Sequence, residues 1–381
     1  MPIDRVRIYL TNIESIKDDI FLEQYNKWYI KKNTSKPLLS YYWKRIGCIT
    51  VKYMPLNNGG TLYLEFNPST MIFGDNIASL CCCNIQQLQN MIYNKLKGTI
   101  DISAVSNIRY WNVSRYENNI NIIRDAGTIK ALYNLISKLE KTKRLNKMIY
   151  EPEGTIYFFN GSSLESSDYI VKFYFKLRQI RNKINDASIG QYYNSEVVCL
   201  NPGEDILRME ITSGREIVVR HYKKEKYKWN GLVSEMIGAI PRNQIGTLED
   251  IFNYDSQVYL LKKIINDFHL DKIMTTKGKL ISFIDNSNLS LEEKKTAKTV
   301  IKHINNCSHK KKPAPSTIAK YKAWILSMGY HYMFADVEIL PIDVDDIIKN
   351  LPYKQQHAIE LYRDSNFFND YMHSTIPSSI Y

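Results

Sequence analysis

Period-two alternation dominates much of the chain between residues 46 and 220. In the run 62–67, Leu62, Leu64 and Phe66 share one parity, and Tyr63 and Glu65 take the other. In 111–119, Val113, Arg115 and Glu117 share parity against Ser114 and Tyr116. In 170–176, Val171, Phe173 and Phe175 define an apolar face, with Lys172, Tyr174 and Lys176 opposite. In 207–212, Leu207, Met209 and Ile211 are apolar, and Arg208, Glu210 and Thr212 face away. Turn signals separate these runs, among them Asn57-Asn58-Gly59-Gly60 and Asn160-Gly161-Ser162-Ser163. Residues 6–10 also read as a strand.

Helical patterns cover 16–32, 85–96 and 128–145. The last of these carries Ala131, Leu132, Leu135, Ile136 and Leu139 on one stripe. Past residue 228 the pattern is mostly helical, over 248–268, 291–304, 316–328 and 343–350. The expectation is an α+β protein in which helices cover an antiparallel or mixed sheet. Residues 1–230 form its α+β domain and 231–381 a mainly helical C-terminal domain.

Placed in one sheet, the four strands gather Glu65, Arg115, Glu117, Lys172, Tyr174, Lys176, Arg208 and Glu210 on a polar face. A solvated face gives the same alternation. The alternative is phosphodiester chemistry, which suits a tyrosine flanked by lysines beside strands that carry carboxylates. Phenol ionises near pH 10 and needs help to attack at neutral pH. Lysines stabilise phenolate and phosphoryl oxygens, and a divalent cation polarises the phosphate.

The charge agrees with a polyanionic partner. Formal net charge is +12 over 381 residues, which points to nucleic acid before an acidic membrane surface. The 28 Tyr carry no such weight, because Lys, Ile and Asn are abundant too and AT-rich coding explains all four. The triplet Cys81-Cys82-Cys83, without any Cys-x-x-Cys pair, excludes an ordinary disulfide framework and a zinc ribbon. The opening Met1-Pro2-Ile3-Asp4-Arg5 has no apolar run, and no stretch has transmembrane length, so a cytoplasmic protein is expected.

Several segments together resemble the gene II/X family of filamentous-phage and plasmid rolling-circle replication initiators. They are Ile3 to Ile8, Tyr63 to Ser69 with Phe73-Gly74-Asp75-Asn76-Ile77, Val113-Ser114-Arg115-Tyr116-Glu117, Tyr174-Phe175-Lys176 and Leu207-Arg208-Met209-Glu210. Residues 316–330 resemble a family helix before a Gly-Tyr turn. The resemblance implies site-specific nicking and rejoining of one origin strand through a phosphotyrosyl link. Tyr174 is then the nucleophile and Lys176 its neighbour at the phosphate. Arg115, Lys172, Arg208 and Glu210 take supporting positions. The family's Gly-His-Asn reads Gly74-Asp75-Asn76 here, and none of the seven His precedes His221. The implied metal ligands are therefore oxygens, from Glu65, Asp75 and Glu117, which favour Mg²⁺ or Mn²⁺. Double-stranded origin DNA, single-stranded DNA, a host helicase and a host polymerase are the implied partners.

Basic segments supply further DNA-binding candidates: Lys223, Lys224, Lys226 and Lys228 among aromatic residues, and Lys310, Lys311 and Lys312 in an exposed loop or hinge. Residues 291–329 fit a helix-turn-helix presenting Lys320 and Lys322, or a plain packing module. Tyr192 and Tyr193 are candidates for a second nucleophile or ordinary surface tyrosines. A non-catalytic origin-binding or copy-control protein, and an RNA-binding protein, remain open as functions.

Overall fold

The computed structural model describes residues 3–13, 29–32, 40–54, 60–74, 83–97, 107–139, 145–150, 154–179, 201–229, 246–252, 254–306 and 312–343, with short stretches between 345 and 373. Among the described residues ten strands form one sheet: β1 (Ile3–Ile13), β2 (Tyr29–Lys32), β3 (Ser40–Ile46), β4 (Ile49–Met54), β5 (Gly60–Phe66), β6 (Asn112–Asp125), β7 (Asn146–Tyr150), β8 (Thr155–Phe159), β9 (Tyr169–Phe175) and β10 (Glu204–Gly214). Their order is β2-β3-β4-β5-β1-β6-β10-β9-β8-β7, and every neighbouring pair is antiparallel. The described helices are α1 (Pro68–Phe73), α2 (Ile85–Leu96), α3 (Ala126–Lys138), α4 (Arg215–Trp229), α5 (Leu248–Ile251), α6 (Tyr254–Asp267), α7 (Lys277–Asp285), α8 (Leu291–Ile304), α9 (Pro315–Ser327) and α10 (Asn366–Met372). The protein is α+β, the class that the alternation indicates.

Helices cover the apolar face. Ile120, Ile122, Met209, Ile211, Val171 and Phe173 are all buried there. Helix α3 packs on β6 and β10, and Tyr133 meets Phe175 with ring centroids 4.6 Å apart. Strand β6 passes straight into α3 because Asp125 caps it, its carboxylate accepting from Thr128 N at 2.9 Å. A cap of this kind stabilises by about 1 kcal/mol. Just past α6, Phe268 stands edge-on to Phe158 and Phe173 at 4.8 and 5.3 Å. Such ring pairs each add roughly 0.5–1.5 kcal/mol beyond their area.

Two irregularities of pairing decide which side chains reach the other face. Ile3 pairs with Asn118 and Arg5 with Glu117, so β1 advances two residues while β6 moves one. Asp4 is the extra residue, and a bulge of this type turns it away from strict alternation. Ile3 and Val6 are thus both fully buried on the apolar side, and Asp4 joins Arg5 on the polar side. The mirror case occurs at Ser114: Arg7 pairs with Arg115 and Ile8 with Val113. Val113 therefore lies with the apolar set, on the face opposite Arg115 and Glu117, and its expected shared parity with them fails at the bulge.

Other differences have local causes. Tyr29 to Lys32, expected as the end of a helix, is a strand because it pairs with Ser40 to Trp43 of β3. Residues 16–28 lie outside the described ones. The helix expected over 128–145 ends at Lys138, after which Leu139 is still buried. The helix expected over 248–268 is two, α5 and α6, the first started by a capping box between Thr247 and Asp250. The basic run 221–228 continues α4 as helix. The described residues past β10 are largely helical, with a small parallel pair, β11 (Ile273–Thr275) and β12 (Tyr330–Phe334). Helices α8 and α9 have Asn305 to Ala314 between them, a longer connection than the three or four residues of a helix-turn-helix. Among the described residues no helix is long and apolar enough to cross a membrane.

Candidate active site

Around Tyr174 the polar face is buried, while farther along it Arg5 stays exposed and Arg7 half-buried. Tyr174 is 5% exposed, Glu210 6%, Lys176 1% and Arg208 0%. Burial of so many polar groups requires mutual pairing, because an unpaired buried charge is costly. Strand register supplies the pairing: Tyr174 lies opposite Arg208, Lys172 opposite Glu210, and Glu210 opposite Asn119.

The Tyr174 hydroxyl donates to Glu210 Oε1 in a short contact. Lys172 Nζ lies 3.2 Å from Glu210 Oε2 and 3.6 Å from Glu117 Oε1. Arg208 donates from Nε to Asn121 Oδ1 at 2.9 Å and sends a terminal nitrogen to 3.9 Å from Glu210 Oε1. Thr212 Oγ1 donates to Glu117 Oε1 at 3.2 Å. Asn67, which caps α1, donates to Asp4 Oδ1 at 2.7 Å. One carboxylate oxygen from each of Asp4, Glu117 and Glu210 lies within 4.8 Å of the others.

These neighbours set the protonation states. Burial, then the Glu210 charge, push the Tyr174 phenol well above its ordinary value. Burial also pushes Glu210 up, but Lys172 and Arg208 outweigh it and hold the carboxyl below the usual range. Asp4 is raised by burial and then by Glu210. Burial opposes the Lys172 charge, yet Glu210 and Glu117 keep its ammonium strongly protonated. Tyr174 is thus a neutral phenol hydrogen-bonded to an ionised carboxylate.

The expected site residues fall into three groups. Tyr174, Lys172, Arg208, Glu210 and Glu117 come together. Lys176 is adjacent: β9 ends at Phe175, and Lys176 opens a helical turn, buried and donating to Gln179 Oε1 at 3.1 Å. Glu65 stands apart from the three clustered carboxylates, held by ion pairs to Arg5 and Arg7. Arg115 lines a cavity of about 250 Å³ with Arg5, Arg7, Glu65 and Glu117. A larger cavity of about 570 Å³ shares Arg7, Glu65 and Arg115 and adds Trp43, Lys52 and Tyr63.

Asp75, Tyr192, Tyr193, Lys310 and Lys311 lie outside the described residues, as do the side chains of Lys223, Lys224, Lys226 and Lys228. Lys312 is exposed. Lys320 pairs with Glu293 at 3.5 Å, and Lys322 lies 4.5 Å from the centre of the Tyr332 ring. Sequence reasoning missed Asp4 and Asn119. The one available signal for Asp4 was an acid at the parity of Val6 and Ile8; Asn119 had its parity with Glu117 alone.

No family model, curated protein or solved structure matches this chain.

Proposed function

We propose that the protein initiates rolling-circle replication of a plasmid or phage by nicking and rejoining one origin strand, with Tyr174 as nucleophile. The observation that carries this reading is the tyrosine of the Tyr-x-Lys motif, bonded to a carboxylate base and set among Lys172, Arg208 and Lys176. In the nicking step the Tyr174 oxygen bonds to the scissile phosphorus as its proton passes to Glu210. The bond from phosphorus to the leaving deoxyribose oxygen breaks, and that oxygen takes a proton from solvent. The phosphotyrosyl link keeps the bond energy, so rejoining needs no ATP. Lys176 and Arg208 offset charge on the phosphoryl oxygens. A bound Mg²⁺ or Mn²⁺ would supply Lewis acidity there, and the carboxylate oxygens present suit such a hard ion. The free hydroxyl primes a host polymerase, with a host helicase opening the duplex, in the cytoplasm of a bacterial host.

Burial of Tyr174 favours a second reading, a non-catalytic origin-binding or copy-control protein. Incubation with supercoiled origin DNA and Mg²⁺ or Mn²⁺ separates the two. Nicking predicts relaxed circles with protein covalently attached. A mobility shift without any relaxed product establishes the second reading instead.

A further inference from the structure

Asn119 sits on β6 two residues beyond Glu117, facing the same side of the sheet and directly opposite Glu210 on β10. It is 2% exposed, and its Oδ1 has no hydrogen-bond partner. A buried acceptor left without a donor costs about 1–3 kcal/mol. A cation satisfies it as well as a donor does. On that same face one carboxylate oxygen from each of Asp4, Glu117 and Glu210 lies within 4.8 Å of the other two. Oxygens on opposite sides of an ion with ligand distances of 2.0–2.1 Å lie about 4.2 Å apart, so this span needs little contraction.

One feature of the cluster argues for exchange. The Lys172 ammonium already spans Glu117 and Glu210, at 3.6 and 3.2 Å, and takes the place of a cation for these two carboxylates. It does not serve the Asn119 oxygen. We propose that Asp4, Glu117, Glu210 and Asn119 Oδ1 form a site for one hard divalent cation, Mg²⁺ or Mn²⁺, whose entry displaces Lys172 from the two glutamates. The released ammonium then lies on the face of Tyr174, two residues along the same strand, where it can meet an incoming phosphate. The site serves the proposed nicking reaction, but cation binding is measurable without DNA.

The test is titration of the full-length protein with Mn²⁺, reading free ion by its electron paramagnetic resonance signal. One site is expected in the wild type. Asp4→Asn and Glu117→Gln should each weaken it at least tenfold. Asn119→Ala should weaken it several-fold without lowering the melting temperature in EDTA, since it deletes an unsatisfied acceptor. Asn119→Asp should tighten it. Lys172→Met should also tighten it, by removing the competitor; if that variant does not fold, the Asn119 pair carries the test. No stoichiometric binding in the wild type, or binding indifferent to Asp4 and Asn119, overturns the proposal. Nicking by a protein that fails the titration would refute this site and keep the nickase. Binding without nicking would do the reverse.

Discussion

Replacing Tyr174 by Phe removes one oxygen and leaves the ring in place, so its two consequences can be worked separately. The first concerns stability. Glu210 is buried and loses the donor on Oε1, but it keeps Lys172 at 3.2 Å and Arg208 at 3.9 Å. A hydrogen bond to a charged group contributes about 1.5–3 kcal/mol net. With two cations remaining, the expected loss is about 2 kcal/mol, a fall in melting temperature of roughly 2–3 °C for a chain of 381 residues. The second concerns chemistry. Without the phenol no phosphotyrosyl bond can form, so the protein–DNA adduct should vanish on a denaturing gel while origin binding persists. Urea unfolding and the adduct assay on one preparation check both. A variant as stable as wild type would refute the buried bond between phenol and carboxylate. A persisting adduct would refute the nucleophile and redirect attention to Tyr192 or Tyr193.

Acid sensitivity is expected from His331, fully buried and pushed down to about 3 by burial and then by His269. The fold holds it neutral, whereas the unfolded chain takes up a proton below about pH 6.5, so stability falls as pH drops from there toward 3. Between pH 7 and 5 the loss should be about 2 kcal/mol, and His331→Gln should flatten that limb of a denaturation series. Two glycines of similar backbone should respond differently to Ala. Gly246 has φ +71°, and a Cβ there would lie 2.4 Å from Val218 Cγ1, whereas Gly47 has φ +56° and open space. Gly47→Ala should cost roughly 1–2 kcal/mol and Gly246→Ala about 1–3 more, read by chemical denaturation.

Where pairing is regular, the sequence already shows the faces. Leu62, Leu64 and Phe66 on β5, and Val171 and Phe173 on β9, are buried as their alternation requires. The same rule places Tyr174, Arg208 and Glu210 on the opposite face, because β9 and β10 pair residue for residue from Leu207 to Ser213. What the chain does not display is register. Nothing local says that Tyr174 meets Arg208, or that Lys172 meets Glu210. Alternation also misleads at a bulge, which assigned Val113 to the wrong face and hid Asp4 from the carboxylate cluster. Strand β2 was missed for the same reason: a run of four residues is a strand by virtue of its partner, β3. Burial of the polar face around Tyr174 was equally invisible, since alternation looks the same beside water and beside protein.

The extra residue at Asp4 also bears on how this protein can change over generations. Substitution at that position alters a single side chain. Deletion would remove the first of the two irregularities between β1 and β6 and bring Arg5 to the place where Asp4 now meets Glu117 and Glu210. A guanidinium would then stand where a carboxylate stood, without any codon having mutated to arginine. Lineages descended from this chain should therefore vary freely in loop length yet keep the spacing from Ile3 to Val6 fixed. Deep scanning of single-codon deletions across residues 3–8 would show the difference from point substitutions directly.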